Sequence, residues 1–156
     1  MIDYNKFQKS LKHLELQYRN HKSMDSGQPD LIREAVTESV IQRFETCYDS
    51  LWKVLKRYLC EELGIPEVPD NPKGIFRLVG ENNLFASSTE QWLKYVQARI
   101  GTTHDYTDKK VPEAFELMDD FIEDSIGLYQ TMSTRTWECP TLSILPPVIA
   151  GSYSTC

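Results

Sequence analysis

The chain has 156 residues, 40% of them hydrophobic and 26% charged, with a formal charge of −6. That suits one soluble domain, long enough to bury a core without staples. No long uncharged apolar run exists, which excludes a transmembrane helix, and the acidic balance excludes broad electrostatic binding to nucleic acid. Only a small local basic site remains open to an anionic partner. The N-terminus, MIDYNKFQKSLKHL, is charged and amphipathic and lacks the apolar segment of a signal peptide, so a cytoplasmic location is expected.

The first predicted helix runs from about Asp3 to His21. Tyr4, Phe7, Leu11, Leu14 and Tyr18 recur there at spacings of three and four, one apolar stripe on a helix. Gly27 and Pro29 then break the chain. The second segment, from Asp30 to Leu63, holds no internal Gly or Pro. Its stripe is Val36, Val40, Phe44, Tyr48, Leu51, Leu55 and Leu59, and Gly64 and Pro66 stop it. A helix of roughly 30 residues spans about 45 Å, long enough that a bend or a projecting end is expected. Asn71-Pro72 reads as an N-cap and first-turn pair for a short helix carrying Ile75, Phe76 and Val79.

Ser87 and Glu90 form a capping box for the next helix, which carries Trp92, Val96 and Ile100 and should end at Gly101. A loop, Thr102–Lys110, leads to the last helix, with Pro112 near its start and Phe115, Met118, Ile122, Ile126 and Tyr129 on its stripe. After Ser133 the helical period stops, and the following stretch contains three prolines. The fold class expected is all-α: an antiparallel up-and-down four-helix bundle with a short extra helix over residues 1–133. Residues 134–156 form a loosely ordered tail, or one that docks on a partner.

Cys47, Cys60, Cys139 and Cys156 show no CxxC spacing and do not read as a zinc site or a disulfide framework. Cys47 and Cys60 read as small core residues. His13 and His21 read as surface residues, without metal-ligand partners in sequence. The acidic residues of the last helix, Glu113 through Asp124, read as a solvated face, because carboxylates strung along one helix seldom converge on one ion.

Chemistry concentrates in Arg99-Ile100-Gly101-Thr102-Thr103-His104-Asp105-Tyr106. If the chain reverses at Gly101, it brings Arg99 near His104. A guanidinium holds phosphate with two parallel hydrogen bonds, and an imidazole changes charge near neutral pH. Together they can cleave RNA without metal: the His handles the 2′-hydroxyl or leaving-group proton, and the Arg stabilises the phosphorane charge. No cofactor is called for. The structural alternative is that Arg99 pairs with an acid such as Asp105 or Asp108 and His104 caps a helix end. Tyr106 is either an accessible nucleophile or a packing residue at a helix junction. Arg43 and Asp49 either flank the cleft near Arg99 or form surface ion pairs.

Two stretches carry a family likeness. One runs from Arg43-Phe44-Glu45 through Tyr48-Asp49 and Trp52-Lys53 to Tyr58-Leu59. The other is Trp92 followed by Arg99, four residues, then His104-Asp105-Tyr106, an Arg-x4-His-x-Tyr pattern. The sequence resembles the HEPN superfamily of small helical bundles, and within it the nucleotidyltransferase substrate-binding proteins, some of which act as toxins neutralised by a minimal nucleotidyltransferase. The likeness covers about residues 3–133.

The resemblance implies that Arg99 and His104 are a ribonuclease pair and that Tyr106 is the residue the partner modifies with AMP. It also implies a homodimer whose two motifs meet in one composite site, and a separately encoded nucleotidyltransferase that carries its own metal. Asp105, Arg43 and Asp49 are binding candidates, toward RNA or a nucleotide. Active members commonly place a polar residue, often Asn, after the motif Arg. Here Ile100 stands there, which favours a non-catalytic nucleotide- or substrate-binding subunit. A structural helical dimer without chemistry is the third reading.

Overall fold

The computed structural model describes residues 1–104 and 110–140, with the side chains of all these except Thr103, His104 and Lys110. Among them are six helices: α1 Asn5–Lys22, α2 Asp30–Glu61, α3 Pro72–Glu81, α4 Thr89–His104, α5 Lys110–Glu116 and α6 Met118–Ser133. The expected all-α class holds. Four long helices form the bundle, and α3 and α5 are the short additions. α1 runs antiparallel to α2: Ser10 faces Cys47, and the Arg43 guanidinium reaches the His13 carbonyl at 3.2 Å. It also runs antiparallel to α6, where Tyr4 bonds the Met132 carbonyl and Tyr18 bonds Asp119.

The stripes found in the sequence are the faces that pack. Phe7, Leu11, Leu14 and Tyr18 of α1 are buried, as are Val40, Phe44, Tyr48, Leu51, Leu55 and Leu59 of α2. Between them and α4 lies an aromatic core in which Phe76 and Phe85 stack on Trp92, while Tyr95 and Phe121 meet edge to face. The first turns of the 32-residue α2 are not buried: nothing in α2 before Val40 is, and Leu31 and Ile32 are 77% and 47% exposed. This exposed end fits the projecting end that its length implied.

Several local expectations hold through their backbone hydrogen bonds. The Asn71 side chain accepts from the Gly74 N–H at 2.7 Å, with Pro72 opening α3. Gly64 adopts a left-handed conformation, φ +65°, just past α2, while the Ile65 N–H returns to the Leu59 carbonyl at 3.0 Å.

Other details differ. The cap of α4 is Ser88, whose hydroxyl accepts from the Gln91 N–H at 3.2 Å; Ser87 turns away to Asp124. Gly101 does not end α4, which continues to His104. A glycine costs about 1 kcal/mol inside a helix; Thr102, the next residue, is buried. The last predicted helix is two helices, broken at Leu117, where the Leu117 N–H closes a tight turn to Ala114 and its carbonyl starts α6 by accepting from Phe121. Ile100, expected on the apolar stripe, is 46% exposed; Tyr95 fills the core instead.

Cys47 is buried, but Cys60 is exposed, not a core residue. Cys139 is disulfide-bonded, which its spacing did not suggest. His13 is exposed, whereas His21 is half-buried with its ring 4.5 Å from Phe115.

Residues 134–140 of the expected tail follow α6 without regular structure and lie back on the bundle. Trp137 is buried, edge-on to Tyr129 at 5.3 Å. Its backbone N–H donates to the Gln130 side-chain oxygen at 2.9 Å, and its ring Nε1 donates to Glu15 at 3.4 Å. Among the described residues no helix is long and apolar enough to cross a membrane.

Candidate functional site

Arg99 lies near the C-terminal end of α4, with its side chain turned toward α2. Its Nη1 meets Glu45 Oε2 at 2.7 Å, and its Nη2 meets Asp49 Oδ2 at 3.4 Å. The two carboxylates are four residues apart on α2, one turn, so they present from the same face. The Arg99 side chain is 21% exposed, Glu45 27% and Asp49 44%. The charges are therefore partly exposed, Asp49 the most.

Two neighbours flank this cluster. Thr102, one turn on from Arg99, is buried; its hydroxyl lies 3.0 Å from the Arg99 carbonyl and 3.3 Å from the same Glu45 oxygen that Arg99 holds. Tyr48, between the two acids, packs inward against Phe44 and Phe76. Burial raises its hydroxyl well above the ordinary tyrosine range; the Arg99 charge lowers it and Asp49 raises it by smaller amounts. It is a neutral neighbour of the cluster, not a titrating group.

The sequence candidates fall out as follows. Asp49 is joined to Arg99. Arg43 is not: it lies on another side of α2 and bonds the His13 carbonyl. His104 is the last residue of α4, on the same helix as Arg99 and about 7.5 Å further along its axis, since no reversal occurs at Gly101. Asp105 and Tyr106 lie outside the described residues, and so does Asp108. Glu45 and Thr102 were quoted in the sequence only within longer stretches and not as site residues. The i,i+4 spacing of Glu45 and Asp49 on the polar side of α2 was the available signal; nothing in it named Arg99 as the partner. Among the described residues no group of three or more His, Cys, Asp or Glu side chains could hold a metal ion.

A second polar cluster sits one turn back on α4. The Tyr95 hydroxyl donates to Asp124 Oδ2 at 2.5 Å and accepts from Gln91 at 3.1 Å, while Ser87 donates to Asp124 Oδ1 at 2.6 Å. Asp124 belongs to the face expected to be solvated, yet it is the anchor between α4 and α6. On the other side of α4, Leu93, Ala98 and Leu117 line a groove of about 490 Å³ against α5, rimmed by Glu90, Lys94 and Gln97.

An all-α bundle with Arg99 near the end of α4 and His104 closing that helix is consistent with the HEPN-type resemblance. The chain belongs to the family described as nucleotidyltransferase substrate binding protein like, which it matches over residues 2–134. It is similar to a Haemophilus influenzae protein named "Probable ribonuclease HepT", 25% identical over 116 residues, which span 69% of this chain and 75% of that one. Its fold is similar to the crystal structure of a Thermus thermophilus protein at TM-score 0.67 and 24% identity, covering 81% of this chain and 98% of that one.

Proposed function

We infer that this chain is the helical partner subunit of a separately encoded minimal nucleotidyltransferase, working as the toxin-like component of a toxin–antitoxin pair. Arg99 and His104 are its metal-independent ribonuclease pair. The observation that supports this best is the family match across residues 2–134, with Arg99 near the end of α4 and His104 closing that helix.

The chemistry asks little of the protein. The 2′-oxygen of RNA attacks the adjacent phosphorus while its proton passes to a base; the bond to the 5′-oxygen breaks, and that oxygen takes up a proton. His104 serves the proton transfers and Arg99 the charge on the phosphorane oxygens. A homodimer brings two such pairs to one groove. The partner, using ATP, transfers AMP to the Tyr106 hydroxyl and releases pyrophosphate. The added phosphodiester is an anion that competes for Arg99 and blocks the groove.

A second reading has its own support. Arg99 already faces two carboxylates, the chain is net acidic, and Ile100 follows the motif Arg with 46% exposure. These favour a non-catalytic subunit that binds a nucleotide or substrate for the nucleotidyltransferase.

Expression of the chain alone separates the two. The first reading expects growth arrest and RNA breakage, both lost in Arg99→Ala and in His104→Ala. A chain that is harmless without its partner and leaves RNA intact removes the ribonuclease. Incubation with partner and ATP should add one AMP mass to the Tyr106 peptide. An unmodified Tyr106 with an active partner removes the AMP transfer.

A further inference from the structure

The two carboxylates on Arg99 are not equivalent. Glu45 meets Nη1 at 2.7 Å, the length of a strong charge-assisted hydrogen bond, and the same Glu45 oxygen lies 3.3 Å from the buried Thr102 hydroxyl. Asp49 meets Nη2 at 3.4 Å, near the weak limit, and is the more exposed acid at 44%. A carboxylate and a phosphodiester present similar pairs of oxygens to a guanidinium, so they compete for the same N–H groups. The exposed, longer contact is the easier to release, because water already solvates that carboxylate and screens its charge.

We propose that Glu45 is the positioning residue that aims Arg99, and that Asp49 is a displaceable gate which a phosphodiester must push off Nη2 to enter. This rests on the reading that Arg99 meets a phosphate. In the resting protein the gate keeps the guanidinium largely neutralised. Free inorganic phosphate or a lone nucleotide gains little by replacing one carboxylate with another anion. A strand held at further points has the extra contacts needed to displace Asp49. The gate thereby favours a polymeric phosphodiester over the small anions that share its charge. It also gives a net acidic chain a way to keep one cation for a nucleic-acid backbone.

The test uses the full chain and a short single-stranded RNA carrying 2′-O-methyl groups, which binds but cannot be cleaved through its 2′-oxygen. Wild type, Asp49→Asn, Glu45→Gln and Arg99→Ala are compared by fluorescence anisotropy. Asp49→Asn should bind about 2–5-fold tighter than wild type, the size expected for removing one exposed competing charge. Glu45→Gln should bind more weakly. The Arg99 Nη proton signals give a readout that folding alone does not move. Hindered rotation should persist in Asp49→Asn and be lost in Glu45→Gln.

If Arg99→Ala abolishes binding but Asp49→Asn matches or falls below wild type, the gate is overturned while the phosphate reading stands. If no variant binds the RNA, both fall together. If Glu45→Gln leaves the Nη signals unchanged, the positioning role is overturned.

Discussion

Tyr95 and Arg99 sit four residues apart on α4, and each reaches a carboxylate on a neighbouring helix. Around Tyr95 the contact is closed. The ring is fully buried, the hydroxyl both donates and accepts, and both Asp124 oxygens are used. Burial raises the hydroxyl well above the ordinary tyrosine range, so Tyr95 stays a neutral donor at physiological pH. Around Arg99 the contact is open: a full charge faces two others, all of them partly exposed. A satisfied polar group in a dry place stabilises, because the alternative is an unpaired buried dipole. A charge cluster in a wet place contributes little to stability and stays available to exchange partners. One helix thus carries a clasp and a site a single turn apart, distinguished by the buried Tyr95 ring and by a neutral donor in place of a full charge.

The comparison breaks if the clasp side proves dispensable. Trp92 stacks on Phe76 and Phe85 beside the clasp, so Trp92→Ala should cost about 3–5 kcal/mol in denaturant unfolding. Asp124→Ala leaves Tyr95 and Ser87 without their shared acceptor and should cost about 1–3 kcal/mol. An Asp124→Ala protein as stable as wild type would mean the clasp is ornamental. Arg99→Ala should change stability by about 1 kcal/mol or less while abolishing the RNA phenotype, the reverse of the Asp124 result. A large loss of stability there would make Arg99 structural and erase the contrast.

Glu15 sharpens it with the smallest effect. Its carboxyl is 6% exposed, accepts from Trp137 at 3.4 Å and lies 3.6 Å from Arg19, so it is more buried than Asp49 and less well partnered than Asp124. Burial raises its folded value above the ordinary 4.5. The unfolded chain therefore releases this proton first. The contribution is full below about pH 4.5 and is lost as pH rises through the raised folded value. Glu15→Gln should flatten the fall in melting temperature as pH rises above about 4.5 and melt at or above wild type once the carboxyl has ionised. A variant that melts well below wild type at neutral pH would show that the Trp137 and Arg19 contacts outweigh the burial.

The helices were legible because each core stripe repeats at helical spacing. The motif was legible because Arg99, His104 and Tyr106 are close in sequence. Glu45 was not, since it lies 54 positions from Arg99 and only the packing of α2 against α4 joins them. The break at Leu117 was hidden for a similar reason: no Gly or Pro marks it, and a non-proline residue leaves a helix there only because of what it packs against. Trp137 looked like part of a polar, proline-broken stretch until Tyr129 and Glu15 supplied a surface for its ring.

Local order in the chain was enough to determine an all-α bundle, its apolar faces, the stop at Gly64, the start at Asn71-Pro72, and the Arg-x4-His-x-Tyr pattern. Each follows from side-chain periodicity or from backbone preferences within a few residues. Tertiary structure alone decided that α4 runs through Gly101, that Ser87 serves Asp124, and that Arg99 answers to Glu45 and Asp49 but not to Arg43. Those outcomes turn on which helix faces meet, and burial sets their energies.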